Sequence, residues 1–109
     1  MDARVDFLRG ATELLILRCV AGGPRHGSDI AAQLTELFEG VPSARVGSLY
    51  GRLRRMERLG WLASSYGVTE TNRMARYYRI TPAGWKQLET SAGEWSTFSG
   101  LLSGFLLAP

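Results

Sequence analysis

Residues 47–62 read GSLYGRLRRMERLGWL, and the interpretation of the whole chain starts from this stretch. Three of its apolar residues are spaced i, i+4, i+7 and form one stripe of a helix: Leu49, Leu53 and Met56. Four arginines are interleaved with them: Arg52, Arg54, Arg55 and Arg58. At about 100° per residue, Arg54 and Arg58 lie roughly opposite the stripe, with Arg55 beside them. The stretch therefore predicts a helix with one face in a core and a strongly basic outer face.

The charge of the chain is concentrated around this helix. The 109 residues carry a net charge of +3, but residues 40–80 hold eight arginines against two acids, and both flanking segments are mildly acidic. The nearby acid, Glu57, cannot balance four arginines. Such an uneven distribution suggests an anionic partner, and a solvated helix face is the alternative.

Two helices are expected before the basic one. The apolar run from Ala11, ATELLILRCVAG, predicts a helix with Thr12 as its N-cap and with Gly22, Gly23 and Pro24 ending it. The following HGSDIAAQLTELFEG predicts a second helix from four residues at helical spacing: Ile30, Leu34, Leu37 and Phe38. Cys19 is expected to be a small core residue.

A hairpin and a last helix follow. WLASSY and ARYYRI are rich in aromatic and β-branched residues, and the polar segment 67–73 between them predicts a long, basic loop. Thr81 and Pro82 suit the N-cap and first position of a helix. The predicted fold is mainly α with a two-stranded β-wing (α+β). It comprises a winged helix-turn-helix domain over residues 1–80 and a long C-terminal dimerisation helix over residues 81–109.

In this architecture the third helix can enter a major groove of DNA, and the wing can reach the neighbouring backbone. Ser48, Arg54 and Arg55 are the expected contacts from the helix to base edges or flanking phosphates. The expected wing contacts are Arg73 and Arg76. Tyr50 and Arg52 flank the core stripe, so either could pack against the domain or touch DNA.

The last helix carries more apolar surface than one small domain can cover, which predicts association. Its apolar positions follow an a/d-like spacing that is widened by further aromatic residues. The predicted homodimer interface consists of Trp85, Leu88, Ala92, Trp95, Phe98, Leu102, Phe105 and Leu106. Folding of the helix back onto its own domain is the alternative. Two copies would place recognition helices about one DNA turn apart, on a pseudo-palindromic operator.

Catalysis, metal binding and cofactors are not expected. One histidine, His26, and one cysteine cannot form a structural zinc site, and no glycine-rich phosphate loop is present. His26 is expected to make a structural hydrogen bond at a helix start. No apolar run is long enough to cross a membrane, and no export-type N-terminus is found, so a cytoplasmic protein is expected.

Three segments together resemble the PadR family of bacterial transcriptional regulators: LRGATELLILRCVAGGPRHGSDIAAQL, GSLYGRLRRMERLGWL and TNRMARYYRITPAGWKQL. The resemblance covers roughly residues 8–90 and implies a dimeric winged-helix repressor that binds double-stranded DNA. It assigns DNA contacts to Ser48 and Tyr50 and to the wing from Asn72 to Arg76. The family usually has tyrosine where Ser28 stands and proline where Gly51 stands.

The resemblance also implies a small aromatic effector near the dimer interface, on which Trp85 and Trp95 could stack; packing in the dimer core is the alternative. The predicted function is a sequence-specific DNA-binding transcriptional regulator, acting as a repressor. The alternative is a winged-helix module for protein interaction or small-molecule binding that no longer binds DNA.

Overall fold

A computed structural model describes residues 3–39 and 49–109, with side chains from Ala11 onward except that of Phe38. The elements follow in the order α1 (Ala3–Ala21), β1 (Arg25–His26), α2 (Gly27–Phe38), α3 (Leu49–Arg58), β2 (Leu62–Val68), β3 (Met74–Ile80) and α4 (Pro82–Leu106). The three strands form one antiparallel sheet in the order β1-β3-β2. The predicted α+β winged-helix fold is confirmed.

The core lies where α1, α2 and α3 meet the base of the sheet. The apolar stripe of α3 is buried as predicted, with Leu53 and Met56 fully inaccessible. Its partners in the core are Ile16, Leu17, Val20, Ile30, Leu34, Leu62, Tyr78 and Leu88. Leu37, which was expected in the helical core pattern, is instead 57% exposed.

The first helix begins earlier than predicted. Because α1 already extends through the residues before Thr12, this threonine lies inside the helix and is buried, so it is not an N-cap. The predicted end is confirmed, since α1 stops at Ala21 and Gly23 follows with a φ of +144°. Only glycine adopts that backbone conformation easily.

The predicted two-stranded wing is present as β2 and β3, and a third, short strand that was not predicted pairs with β3. Arg25 and His26 pair with Tyr78 and Tyr77 at the edge of β3. Two residues are too few to display the alternation by which strands are recognised in sequences. This short strand joins the start of α2 to the wing.

The hairpin loop is shorter than predicted, because β2 extends through Gly67 and Val68 of the polar segment and leaves only residues 69–73 between the two strands. Gly67 belongs to β2, where a Cβ would lie 3.0 Å from the ring of Tyr77. Asn72 has a φ of 61°, a left-handed conformation that asparagine tolerates in turns.

The start of α4 follows the prediction. The Thr81 hydroxyl accepts a hydrogen bond from the Gly84 amide at 3.0 Å, and Pro82 occupies the first turn. The same hydroxyl donates to the Gly60 carbonyl at 2.5 Å, so the cap also ties α4 to the end of α3. The helix packs against α1, and the large side chains of its last turns are exposed.

Candidate nucleic-acid interface

The outer face of α3 is basic because its apolar stripe takes up the inner face. Arg54, Arg55 and Arg58 are exposed, as is Tyr50. The Nε of Arg54 donates to the Tyr50 carbonyl at 3.4 Å, one turn earlier on the same helix. Ser48, the predicted contact at the start of this helix, lies outside the described residues.

Tyr50 links α3 to the beginning of α2. A Cβ at Gly27 would lie 2.8 Å from the Tyr50 Cε1, so the absence of a side chain at Gly27 lets the ring approach. Tyr50 and Arg54 form one wall of an open groove of about 370 Å³. Its other lining residues come from the start of α2 and from β3: His26, Gly27, Ser28, Ala75, Arg76 and Tyr78. The fold thus brings α2, α3 and the wing together around one groove.

Two of the four arginines of α3 turn towards α1. The Arg55 Nη1 lies 2.6 Å from both carboxylate oxygens of Glu13, and the Arg52 Nη1 lies 3.7 Å from one of them. The guanidinium of Arg55 also lies 5.9 Å from the centroid of the Trp61 ring. The balancing acid for α3 therefore comes from α1. This pairing could not be predicted from local sequence, because Glu13 is distant from α3 along the chain.

Glu57, the acid within α3, pairs with the wing instead. Its carboxylate accepts from the Arg76 Nη2 at 3.0 and 3.2 Å and from the Ser64 hydroxyl at 2.6 Å. The Arg76 Nε donates to the same hydroxyl at 2.8 Å. Arg76, a predicted DNA contact, is thus part of a network that holds the wing against α3.

The tip of the wing presents the other two predicted contacts, Asn72 and Arg73, and both are exposed. The Thr69 amide donates to the Arg73 carbonyl at 2.8 Å, and the Asn72 amide donates to the Thr69 carbonyl at 2.9 Å. These hydrogen bonds close the turn, so both side chains stand on a defined loop rather than on a loose one.

His26 and Cys19, the two residues considered for other chemistry, lie at the start of α2 and against the core. His26 caps α2 as predicted: its Nδ1 accepts from the Asp29 amide at 3.3 Å. Burial raises the pKa of the half-buried Cys19 thiol, against the opposing effect of Arg25 and Arg18, so the unreactive thiol dominates at neutral pH. Among the residues whose placement is described, no histidine, cysteine and carboxylate groups cluster as a metal site.

The predicted dimer surface on α4 is largely exposed. Trp85, Phe98, Leu102, Phe105 and Leu106 are accessible, with Phe105 at 83%. Ala92 is also exposed, and Trp95 is partly buried. Leu88 differs, because it packs into the core of its own domain and is not part of this exposed surface.

In the part of the chain that the structure describes, no helix combines the length and apolarity needed to span a membrane.

Solved structures show that this fold recurs at similar chain length. A transcriptional regulator from Clostridium thermocellum is 29% identical, with a TM-score of 0.76 and coverage of 92% of this chain and 97% of the other. A PadR family transcriptional regulator from Eggerthella lenta is 25% identical, with a TM-score of 0.76 and coverage of 96% and 89%. A PadR-like transcriptional regulator from Bacillus cereus, 24% identical, shares the fold with a TM-score of 0.82 over 95% and 99%.

The family itself is shown by a match over most of the described domain. Residues 16–90 match the family described as the transcriptional regulator PadR-like family. This range includes α2, α3, the complete sheet and the first part of α4. The family consists of transcriptional regulators and not of enzymes, in agreement with the expectation from the sequence. The chain belongs to the PadR-like family of transcriptional regulators.

Proposed function

We propose that the chain is a sequence-specific DNA-binding repressor that binds a pseudo-palindromic operator as a homodimer in the cytoplasm. The observation that carries this proposal is the groove in which the basic face of α3 meets the start of α2 and the wing. A recognition helix and a hairpin in this arrangement fit a major groove and the adjacent backbone. Residues 1–80 would form the DNA-binding domain and residues 81–109 the dimerisation helix.

The proposed DNA contacts fall into two groups, according to whether a carboxylate of the chain already holds the side chain. Tyr50 and Arg54 are exposed on the groove side of α3 and are proposed to reach base edges or flanking phosphates. Asn72 and Arg73 at the wing tip are proposed to touch the backbone or a minor groove. Ser48, which precedes α3 in the sequence, is also a proposed contact. Phosphate contacts would supply most of the affinity, whereas base contacts would supply the sequence preference.

The remaining three proposed contacts are held by carboxylates. Arg52 and Arg55 pair with Glu13, and Arg76 pairs with Glu57. Their contribution to DNA binding depends on whether a phosphate competes successfully with the carboxylate. Arg76 and Arg55, at 43% and 51% side-chain exposure, are more accessible to DNA than Arg52 at 17%.

Homodimer formation is supported by the outer part of α4. This helix has 25 residues, about 37 Å of length, and its last turns expose large apolar side chains to solvent. Covering such a contiguous surface is favourable by roughly 25 cal/mol per Å² of apolar area. A second α4, which carries the same surface, would cover it.

A small aromatic effector is part of the proposal through Trp85 and Trp95. Both lie on α4, one 44% exposed and the other partly buried, so ligand stacking on them would change their emission. The measurement is tryptophan fluorescence across a panel of phenolic and drug-like compounds, with a Trp61→Phe variant to remove the signal from the domain. Unchanged emission across the panel would contradict the effector.

DNA binding is tested by fluorescence anisotropy with two labelled duplexes, one from upstream of the chain's own coding sequence and one shuffled. Each is measured at two salt concentrations, and the mass of the protein in solution is measured by light scattering. A dimer that prefers the upstream duplex, with strong salt dependence, supports the proposal. Because the operator could lie elsewhere, a selection from a random duplex library follows if the two duplexes bind alike.

Failure to enrich any sequence from the library would contradict the proposal. It would favour the alternative, a winged-helix module for protein interaction or small-molecule binding that no longer binds DNA.

A further inference from the structure

We propose that Glu13 of α1 is a specificity-determining residue of the DNA-binding surface: it holds Arg55 away from DNA phosphates. This inference rests on the proposed function. It adds that an acidic residue outside the DNA interface limits how many arginines of α3 can bind phosphates, in DNA of any sequence.

The first support is the geometry of the ion pair. Both oxygens of the Glu13 carboxylate lie 2.6 Å from the Arg55 Nη1. Charge-assisted hydrogen bonds of this length are stronger than those between neutral groups. Glu13 has only 18% side-chain exposure, so water screens the pair less than it screens a typical surface ion pair.

The second support is that the pair is part of a larger restraint. The Trp61 ring lies 5.9 Å from the Arg55 guanidinium, within the range of a cation–π interaction. Arg52 approaches the same carboxylate at 3.7 Å, and its side chain is only 17% exposed. Two of the four arginines of α3 thus lie against α1, and Arg55 also lies against Trp61.

The other two arginines of α3 are placed differently. Arg54 lines the groove between α3 and the wing, and Arg58 is exposed. Within the described residues, neither has a carboxylate at ion-pair distance. The basic face of α3 is therefore divided into a restrained pair beside α1 and an available pair on the outer side.

This division matters because non-specific DNA affinity depends on the number of phosphates that a protein neutralises. Each additional arginine on a phosphate tightens binding to every sequence and steepens the dependence of log K on log salt by about 0.9. Releasing Arg55 would add such a contact without adding a base contact. The ratio of operator affinity to non-specific affinity would then fall.

The experiment compares Glu13→Gln with Glu36→Gln, which removes the same charge from an exposed position on α2. Anisotropy titrations use two duplexes at several salt concentrations: one enriched from a random library by the wild-type protein, and one of random sequence. For Glu13→Gln we expect tighter binding to the random duplex, a salt slope steeper by about one because Arg55 is released, and a smaller specificity ratio. Glu36→Gln should show only the small effect of net charge.

Two further variants connect the effect to Arg55. The double variant Glu13→Gln/Arg55→Ala should return to the wild-type slope, and Glu13→Asp, which keeps a carboxylate, should remain close to it. An unchanged slope and unchanged random-duplex affinity in Glu13→Gln would overturn the proposal. So would a gain that persists in the double variant.

Folding of each variant is checked by thermal denaturation. If Glu13→Gln does not fold, Arg55→Ala is compared with Arg73→Ala: the proposal expects Arg73→Ala to lower the salt slope on the random duplex by about one and Arg55→Ala to lower it much less. An equal lowering by both variants overturns the inference. Failure of the wild-type protein to enrich any duplex would instead refute the proposed function, so the two failures are distinguishable.

Discussion

The two ends of α4 belong to different physical environments. At the first end, Gly84 and Leu88 are buried against the domain, and Thr81 ties the helix to the residues that follow α3. At the far end, Phe105 and Leu107 are almost completely exposed. The first end is stabilised by contacts within the chain, while the far end carries apolar surface that the same chain leaves uncovered. One helix therefore serves both the fold of the domain and, in our proposal, the assembly of two domains.

The largest expected effect concerns the stability of the domain against which the first end of α4 packs. Leu53→Ala removes a fully buried side chain of α3 and should lower the free energy of unfolding by about 3 kcal/mol. Phe105→Ser should leave the domain's unfolding free energy nearly unchanged and weaken self-association. Urea denaturation and sedimentation at several protein concentrations measure the two effects. A large loss of domain stability in Phe105→Ser would show that this end packs on its own domain.

A pair of glycine substitutions sharpens the comparison along the same helix. A Cβ at Gly84 would lie within collision distance of the Trp61 carbonyl oxygen and 2.8 Å from Ile80, so Gly84→Ala should cost about 2–3 kcal/mol. At Gly93 no atom lies within 4 Å of the added Cβ, and Gly93→Ala should stabilise the helix by about 1 kcal/mol. Thermal denaturation tests both. Destabilisation by Gly93→Ala would place a close partner contact at that position.

The next effect concerns the proposed DNA contacts of α3 and the wing. Arg54→Ala should cost roughly 1–3 kcal/mol on a selected operator and relax its sequence preference, because Arg54 lines the groove and is proposed to read a base edge. Arg73→Ala at the wing tip should weaken all duplexes alike and lower the salt slope by about one. Anisotropy on operator and random duplexes separates the two outcomes. Equal losses for both variants on random DNA would contradict this division of roles.

The smallest effect concerns the network between α3 and the wing. Ser64→Ala removes a hydroxyl that donates to Glu57 and accepts from Arg76, and should cost about 1 kcal/mol of folding stability. The ion pair between Glu57 and Arg76 stays in place, so the sheet should keep its pairing. Urea denaturation gives the cost, and amide exchange in β2 and β3 reports on the wing. Loss of protection throughout both strands would mean that this hydroxyl, rather than the ion pair, holds the wing.

The sequence predicted those features that depend on neighbouring residues. The stripe of Leu49, Leu53 and Met56 needs only helical periodicity, and the cap at Thr81 needs only a threonine followed by proline. Thr12 shows the limit of this reasoning, because a residue suited to an N-cap lies inside a helix when the helix continues before it.

Features that depend on distant residues were not predictable. β1 is a strand only because Arg25 and His26 lie beside β3, and its two residues carry no pattern of their own. The pairing of Glu13 with Arg55 joins positions far apart in the chain, so the charge of α3 seemed unbalanced from local sequence alone. The predicted DNA contacts could be placed on elements from the sequence, but not sorted into restrained and available side chains.

The hydrogen bonds of Thr81 connect the start of α4 to the segment after α3. The Thr81 amide donates to the Trp61 carbonyl at 3.1 Å and its hydroxyl donates to the Gly60 carbonyl, so α4 is anchored on the second and third residues after the end of α3. These two hydrogen bonds connect the first residue before α4 to the segment that follows α3. In the proposed pair of such chains, a small rotation between the two α4 helices would therefore alter the spacing between the two α3 helices.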